Sequence, residues 1–176
     1  MQVVLGGTFD PVHDGHRKLF SRGLELGDLT VGLTSDGLAP QTRNVDRYVR
    51  PWEDRKRDLA TELAALEEAG DGGQVTAIRQ LEHPYGIATE PAFDVLIVSP
   101  ETLEGGRKLN AIRENNGTDP LEIEVVENAV AADGRRISST PIVNGEIDEP
   151  GNLTPASDGS SDPPHQQQRH PRGFTQ

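Results

Sequence analysis

The sequence predicts an α/β fold, a three-layer sandwich in which a mostly parallel five-stranded sheet carries helices on both faces. Three observations predict it. Apolar runs of strand length alternate with segments of helical periodicity. The most apolar run, Phe93-Asp94-Val95-Leu96-Ile97-Val98, is too hydrophobic to leave one face in water. A glycine-rich turn also joins the first strand directly to a helix, which is how sheets of this kind hold phosphate.

The elements follow in order. Val3-Val4-Leu5 reads as a buried strand and runs into Gly6 to His16. Arg17-Lys18-Leu19-Phe20 and Gly23-Leu24 then have helical apolar spacing. Leu29-Thr30-Val31-Gly32-Leu33 is a second strand, and residues 34 to 50 are polar and loop-like, with Arg43, Arg47 and Arg50 spaced through them. Pro51 suits the first turn of a helix, Glu53 and Asp54 complement its positive end, and Leu59, Leu63 and Leu66 recur until Gly70. Gln74 to Ile78 is the third strand and Phe93 to Val98 the fourth. A helix is predicted from near Gly106, carrying Leu109, Ile112 and Arg113 and stopping at Asn115-Asn116-Gly117. Leu121 to Val126 alternates with glutamates, as an edge strand with one wet face does. This order predicts a Rossmann-like sheet whose ligand lies beyond the carboxyl ends of the strands, where strand order reverses. The loop after the first strand and Ser99-Pro100-Glu101-Thr102 are expected to face each other there.

Composition narrows the class. A chain of 176 residues suits one core, so residues 1–150 are expected to form one domain. Residues 151–176, rich in Ser, Pro, Asp and Gln, are expected to be a disordered polar tail, and His165 and His170 within it have no companion ligands. There is no cysteine, so disulfides and thiolate metal sites are excluded. No apolar run approaches the length of a membrane span, and the N-terminus opens on a strand, so a cytoplasmic location is expected. The net charge of -12 argues against binding to nucleic acid or anionic lipid. With lysine only at Lys18, Lys56 and Lys108, the acidic composition points to a salt-rich cytoplasm, an ordinary acidic enzyme being the alternative.

Gly6-Gly7-Thr8-Phe9-Asp10-Pro11-Val12-His13-Asp14-Gly15-His16 concentrates the chemistry. Two imidazoles, a hydroxyl and several glycines fall in one strand-to-helix turn, where free amides and the helix end attract anions. A turn alone needs no pair of histidines at a helix start. Far along the chain, Ile137-Ser138-Ser139-Thr140 offers consecutive hydroxyls at a helix start, more than capping requires.

Gly-Gly-Thr-Phe-Asp-Pro-Val-His-x-Gly-His resembles the signature of the class I nucleotidyltransferases, and Ile-Ser-Ser-Thr resembles their second motif. With Val31-Gly32-Leu33-Thr34-Ser35-Asp36, Val98-Ser99-Pro100-Glu101-Thr102 and Asn110-Ala111-Ile112-Arg113, the chain over residues 2 to 152 is similar to the phosphopantetheine adenylyltransferases of the archaeal and eukaryotic type. It departs from the archaeal pattern at Pro141 and Asn144, where that pattern has arginines; Arg107, Arg135 and Arg136 are the candidates to compensate.

The resemblance implies transfer of an adenylyl group from ATP to 4'-phosphopantetheine, giving dephospho-coenzyme A and pyrophosphate. It implies catalytic roles for His16, His13 and Thr8. Thr8 orients the acceptor phosphate, His16 donates to the α-phosphate, and His13 contacts the triphosphate. Gly7, Phe9 (through its amide), Ser138, Ser139, Thr140, Glu101 and Arg113 complete the expected ATP site, with Asn110 beside Arg113. For Glu101 and Thr102, helix capping is the alternative. The acceptor site is expected to use Thr8, Arg43, Arg47 and Arg50, although the arginines are equally explained as solvated loop charges. Mg2+ is expected on the nucleotide's own phosphates, and no protein metal site is expected, because a zinc reading of His13 and His16 lacks a third ligand. A monomer is favoured. The competing readings are transfer to nicotinate mononucleotide, FMN or glycerol phosphate, and a non-catalytic nucleotide-binding protein.

Overall fold

In the computed structural model, which describes residues 1–42 and 48–128, the first strand takes the middle of the sheet. β1 (Gln2–Gly7) is flanked by β2 (Asp28–Thr34) and β4 (Val95–Val98), with β3 (Val75–Leu81) and β5 (Glu122–Val125) at the edges. The order is β3-β2-β1-β4-β5, and all neighbouring pairs are parallel. Strand order therefore reverses between β1 and β4, and a crevice opens beyond their carboxyl ends.

Side-chain alternation along the central strands divides the core between two faces. Val3, Leu5, Val95 and Ile97 join Leu29, Val31 and Leu33 of β2 under α1 (Asp14–Leu26) and α2 (Trp52–Ala69), which contribute Phe20, Leu24, Leu59 and Leu63. Val4, Leu96 and Val98 point the other way and meet Leu109 of α3 (Leu103–Asn115) and Ile87 and Ala88 of the short 3-10 turn Gly86–Thr89. Helices thus cover both faces.

Two boundaries differ from the expected ones by three residues, and the others by no more than two. α3 starts three residues before Gly106, because Thr102 closes a turn on Ser99, its hydroxyl accepting the Ser99 N–H at 3.0 Å. Gly106 lies inside the first turn, where its missing side chain lets the helix settle on Leu96 and Val98. β3 continues to Leu81 through Arg79 and Gln80, which an edge strand tolerates because one margin is in water. The expectations for Arg43, Arg47, Arg135, Arg136, Ser138, Ser139, Thr140, Pro141, Asn144 and the tail lie outside the described residues. Among the described residues, no helix is long and apolar enough to cross a membrane.

Candidate active site

β1 delivers Gly7 and Thr8 to the crevice. The next residue, Phe9, has φ 48°, a left-handed conformation that costs a β-carbon-bearing residue roughly 1–2 kcal/mol. Packing holds it there. The Phe9 ring is 3% exposed and meets the rings of His16 and Phe20 edge-on, with centroids 4.8 and 5.2 Å away. Glycine suits position 7, since a Cβ there would come within 2.8 Å of that ring and force it to shift.

His13 is the residue immediately before α1, and its backbone N–H donates to Nδ1 of His16 at 3.3 Å. A ring nitrogen that accepts carries no proton, so in neutral His16 the proton sits on Nε2. The two imidazoles stack, centroids 3.6 Å apart and planes 20° from parallel. Their lone pairs lie in nearly parallel planes and do not converge on one ion at zinc–nitrogen distance. Among the described residues, no group of three or more His, Cys, Asp or Glu is arranged to hold a metal.

A cavity of about 460 Å3 fills the crevice, a volume that suits a small-molecule ligand. Its lining is mixed: Gly7, Thr8, Thr34, Thr42, Glu101 and Thr102 bring hydroxyls, a carboxylate and backbone, and Val4, Leu38, Leu81, Ile87, Leu96 and Leu109 bring apolar side chains. The two segments expected to face each other, one after β1 and one after β4, both reach it. His13 and His16 belong to the same loop and helix start but do not line this cavity.

Around Thr8 lies a polar cluster centred on the buried Thr34 and Arg55. The Thr8 hydroxyl is 2.9 Å from that of Thr34 and 3.3 Å from that of Thr42. Arg55 of α2, 0% exposed, donates from Nη1 to the Thr8 carbonyl at 3.2 Å and to the Thr34 hydroxyl at 3.4 Å. Its Nε donates to the Arg50 carbonyl at 2.8 Å and its Nη2 to Asp36 at 3.0 Å. Arg50 in turn donates to Asp10 of the motif, from its backbone N–H at 2.8 Å and from Nε at 2.6 Å, and to Asp58 at 2.6 Å. These carboxylates hold the Arg50 guanidinium above its ordinary pKa, the Asp10 hydrogen bond contributing most.

Sequence reasoning missed Arg55 and Thr34. A signal for Arg55 existed, since it falls four residues before Leu59 and eight before Leu63, in line with the buried stripe of α2.

Of the expected nucleotide ligands, Gly7 and Glu101 line the cavity, and Glu101 also accepts from Asn128 Nδ2 at 2.8 Å. Arg113 is a correction. It is 2% exposed, and its guanidinium is spent on carbonyls: Nε on Asp119, Nη1 on Ala88 and Glu90, all at 2.7 Å, and Nη2 on Phe93 at 3.4 Å. It ties α3 to the segment before β4 and has no face toward the cavity lining. Asn110 is likewise occupied, donating to and accepting from the Leu121 backbone at 2.9 and 2.8 Å. Arg50 does not line the cavity either; it braces the motif loop through Asp10. Arg107 is an exposed partner of Glu104 at 3.5 Å.

Comparison with known proteins agrees with this geometry. A family model described as cytidylyltransferase-like matches residues 4–145. A phosphopantetheine adenylyltransferase of Methanosarcina barkeri is 43% identical over 155 residues, covering 86% of this chain and 92% of that protein. One from Archaeoglobus fulgidus is 38% identical over 156 residues, covering 87% and 99%. The crystal structure of a protein of unknown function from Archaeoglobus fulgidus superposes with a TM-score of 0.61 at 33% identity, covering 78% of this chain and 100% of that one. The chain therefore belongs to the cytidylyltransferase-like family and, within it, to the group of archaeal phosphopantetheine adenylyltransferases.

Proposed function

We propose that this protein transfers the adenylyl group of ATP reversibly to 4'-phosphopantetheine, giving dephospho-coenzyme A and pyrophosphate, a step of coenzyme A biosynthesis. The observation that carries the reading is the cavity at the switch point, lined both by hydroxyls and the start of the motif loop and by apolar side chains. Such a lining suits an acceptor that carries both a phosphate and an uncharged arm.

An oxygen of the acceptor phosphate attacks the α-phosphorus of ATP, the bond to the β-phosphate oxygen breaks, and pyrophosphate leaves. A phosphate monoester is already ionised near neutral pH, so no general base is needed and the protein supplies alignment and charge stabilisation. Thr8 orients the acceptor phosphate, and Phe9 contributes its backbone amide. His16 donates from Nε2 to the α-phosphate as negative charge grows there, a direction its hydrogen bond from His13 supports. His13 acts on the triphosphate and the departing pyrophosphate. Gly7 and Glu101 border the nucleotide, and Ser138, Ser139 and Thr140 bind its β- and γ-phosphates. Arg43 and Arg47 remain candidates for the acceptor. Mg2+ would be held by the nucleotide's own phosphates and would supply charge neutralisation at the triphosphate tail.

Residues 1–150 form the catalytic unit in this reading and 151–176 a polar tail, the chain working as a monomer in the cytoplasm, without nucleic-acid or membrane partners. The test is pyrophosphate release from ATP and 4'-phosphopantetheine with Mg2+, at low salt and in molar potassium chloride. Nicotinate mononucleotide, FMN and glycerol phosphate serve as rival acceptors. Faster release with a rival, or ATP binding with no release at all, overturns the reading.

A further inference from the structure

The polar cluster around Thr8 has a direction. Arg55 can only donate, and its Nη1 reaches the Thr34 hydroxyl at 3.4 Å. At the other end the Thr42 hydroxyl donates its single proton to the Ala39 carbonyl at 3.0 Å, and a carbonyl can only accept. Between them the Thr34 and Thr8 hydroxyls lie 2.9 Å apart, and those of Thr8 and Thr42 3.3 Å apart. Each hydroxyl has one proton to give. Thr42 has spent its own on Ala39, so Thr8 donates to Thr42. Thr8 has then spent its proton, so Thr34 donates to Thr8. The run reads Arg55 to Thr34 to Thr8 to Thr42 to the Ala39 carbonyl.

The bond from Thr8 to Thr42 is the long one between hydroxyls in this run, so the Thr8 proton is readily redirected to a better acceptor. Thr8, Thr34 and Thr42 all line the cavity, where a phosphate oxygen is such an acceptor. A hydroxyl that already accepts a hydrogen bond is also a stronger donor.

We propose that Arg55 and Thr34 are positioning residues that fix the Thr8 hydroxyl as a donor to the phosphate of the acceptor. This rests on the function proposed above and names two residues that serve it without touching the reacting atoms.

Arg55 also holds the Thr8 and Arg50 carbonyls, so its removal disturbs the fold, and Thr34 is the cleaner probe. In otherwise native protein, Thr34→Val is expected to lower kcat/KM for 4'-phosphopantetheine about tenfold, the worth of one neutral hydrogen bond, with KM for ATP unchanged. Thr34→Ser is expected to restore the wild-type value to within about twofold. In a Thr8→Val background, Thr34→Val is expected to cost less than about twofold, because the hydroxyl it serves is gone. Equal loss in both backgrounds, or a serine variant as impaired as the valine one, overturns the proposal. The same cycle is read in the affinity for 4'-phosphopantetheine by calorimetry. A wild type that binds it but releases no pyrophosphate sinks the functional reading alone, and the binding cycle still decides the proposal. A wild type that neither binds nor turns it over overturns both.

Discussion

The backbone N–H of His13 donates to Nδ1 of His16 at 3.3 Å, and this contact decides which nitrogen of His16 carries the proton. The donor atom, Nε2, belongs to a ring that Phe9 also supports edge-on at 4.8 Å. His16→Ala is therefore expected to lower kcat by roughly 10²–10³-fold, the usual cost of one donor to a developing oxyanion. Circular dichroism and thermal unfolding are expected to stay near wild type, since His16 is only half-buried. A turnover near wild type would show that Nε2 does not meet the reacting phosphate.

The start of α1 is braced against α2 by Arg17, which donates to Glu62 from Nε at 3.0 Å and from Nη2 at 2.9 Å. The Arg17 hydrogen bond is the largest cause holding the Glu62 carboxyl below its ordinary pKa of 4.5; burial opposes it. A depressed folded-state value means that the pair stabilises the fold above the unfolded-state pKa and loses this contribution as pH falls through the folded-state one. At pH 7 Glu62→Gln is expected to cost less than about 1 kcal/mol, because both partners are partly in water. Urea unfolding at a series of pH values checks it: the difference between wild type and variant should shrink below pH 4.5 and disappear with further acid. A difference that persists unchanged into strong acid would mean that packing, not charge, is being measured.

Arg113 is a scaffold residue, and its variants should separate stability from ligand binding. Lysine keeps the charge but cannot reach four carbonyls in the geometry of a guanidinium fork. Arg113→Lys is expected to lose about 2–4 kcal/mol in chemical denaturation, from weakened charged hydrogen bonds and carbonyls left unpaired in the interior. ATP affinity of the folded variant, measured by calorimetry at low temperature, is expected to be unchanged. A selective loss of affinity with stability intact would return Arg113 to the nucleotide.

How much of this was legible in the sequence depends on how local the cause is. The strands could be read because Val3 to Leu5 and Val95 to Val98 are buried on both faces and need apolar residues throughout. The motif could be read because Gly7 through His16 sit together in the chain. The start of α3 lies before Gly106 because Gly106 serves helix–sheet contact, a role set by the sheet beneath it and not by the local sequence. Arg113 is expected at the nucleotide with Asn110, three residues away on one helical face, yet its place four residues after Leu109 puts it on the buried stripe. Arg55 is harder still. Its burial follows from its place on the stripe with Leu59 and Leu63, but the partner it holds, the carbonyl of Thr8 47 positions away, leaves no trace in the local pattern.

Gly7 offers the sharpest test of how packing governs the motif loop. A methyl group at this position would come within 2.8 Å of the Phe9 ring, and Phe9 is 3% exposed with Phe20 on another side. The ring has little space into which to retreat, so Gly7→Ala is expected to cost about 1–3 kcal/mol of stability, as overpacking a core does. The displacement also passes to His16, whose ring rests on Phe9. Since a misplacement of 1 Å at a reacting centre costs on the order of a hundredfold, kcat should fall at least about tenfold at temperatures where the variant is fully folded. Denaturant unfolding and turnover, both at low temperature, separate the two effects. If stability falls while kcat holds, Phe9 supports the fold without setting the position of His16.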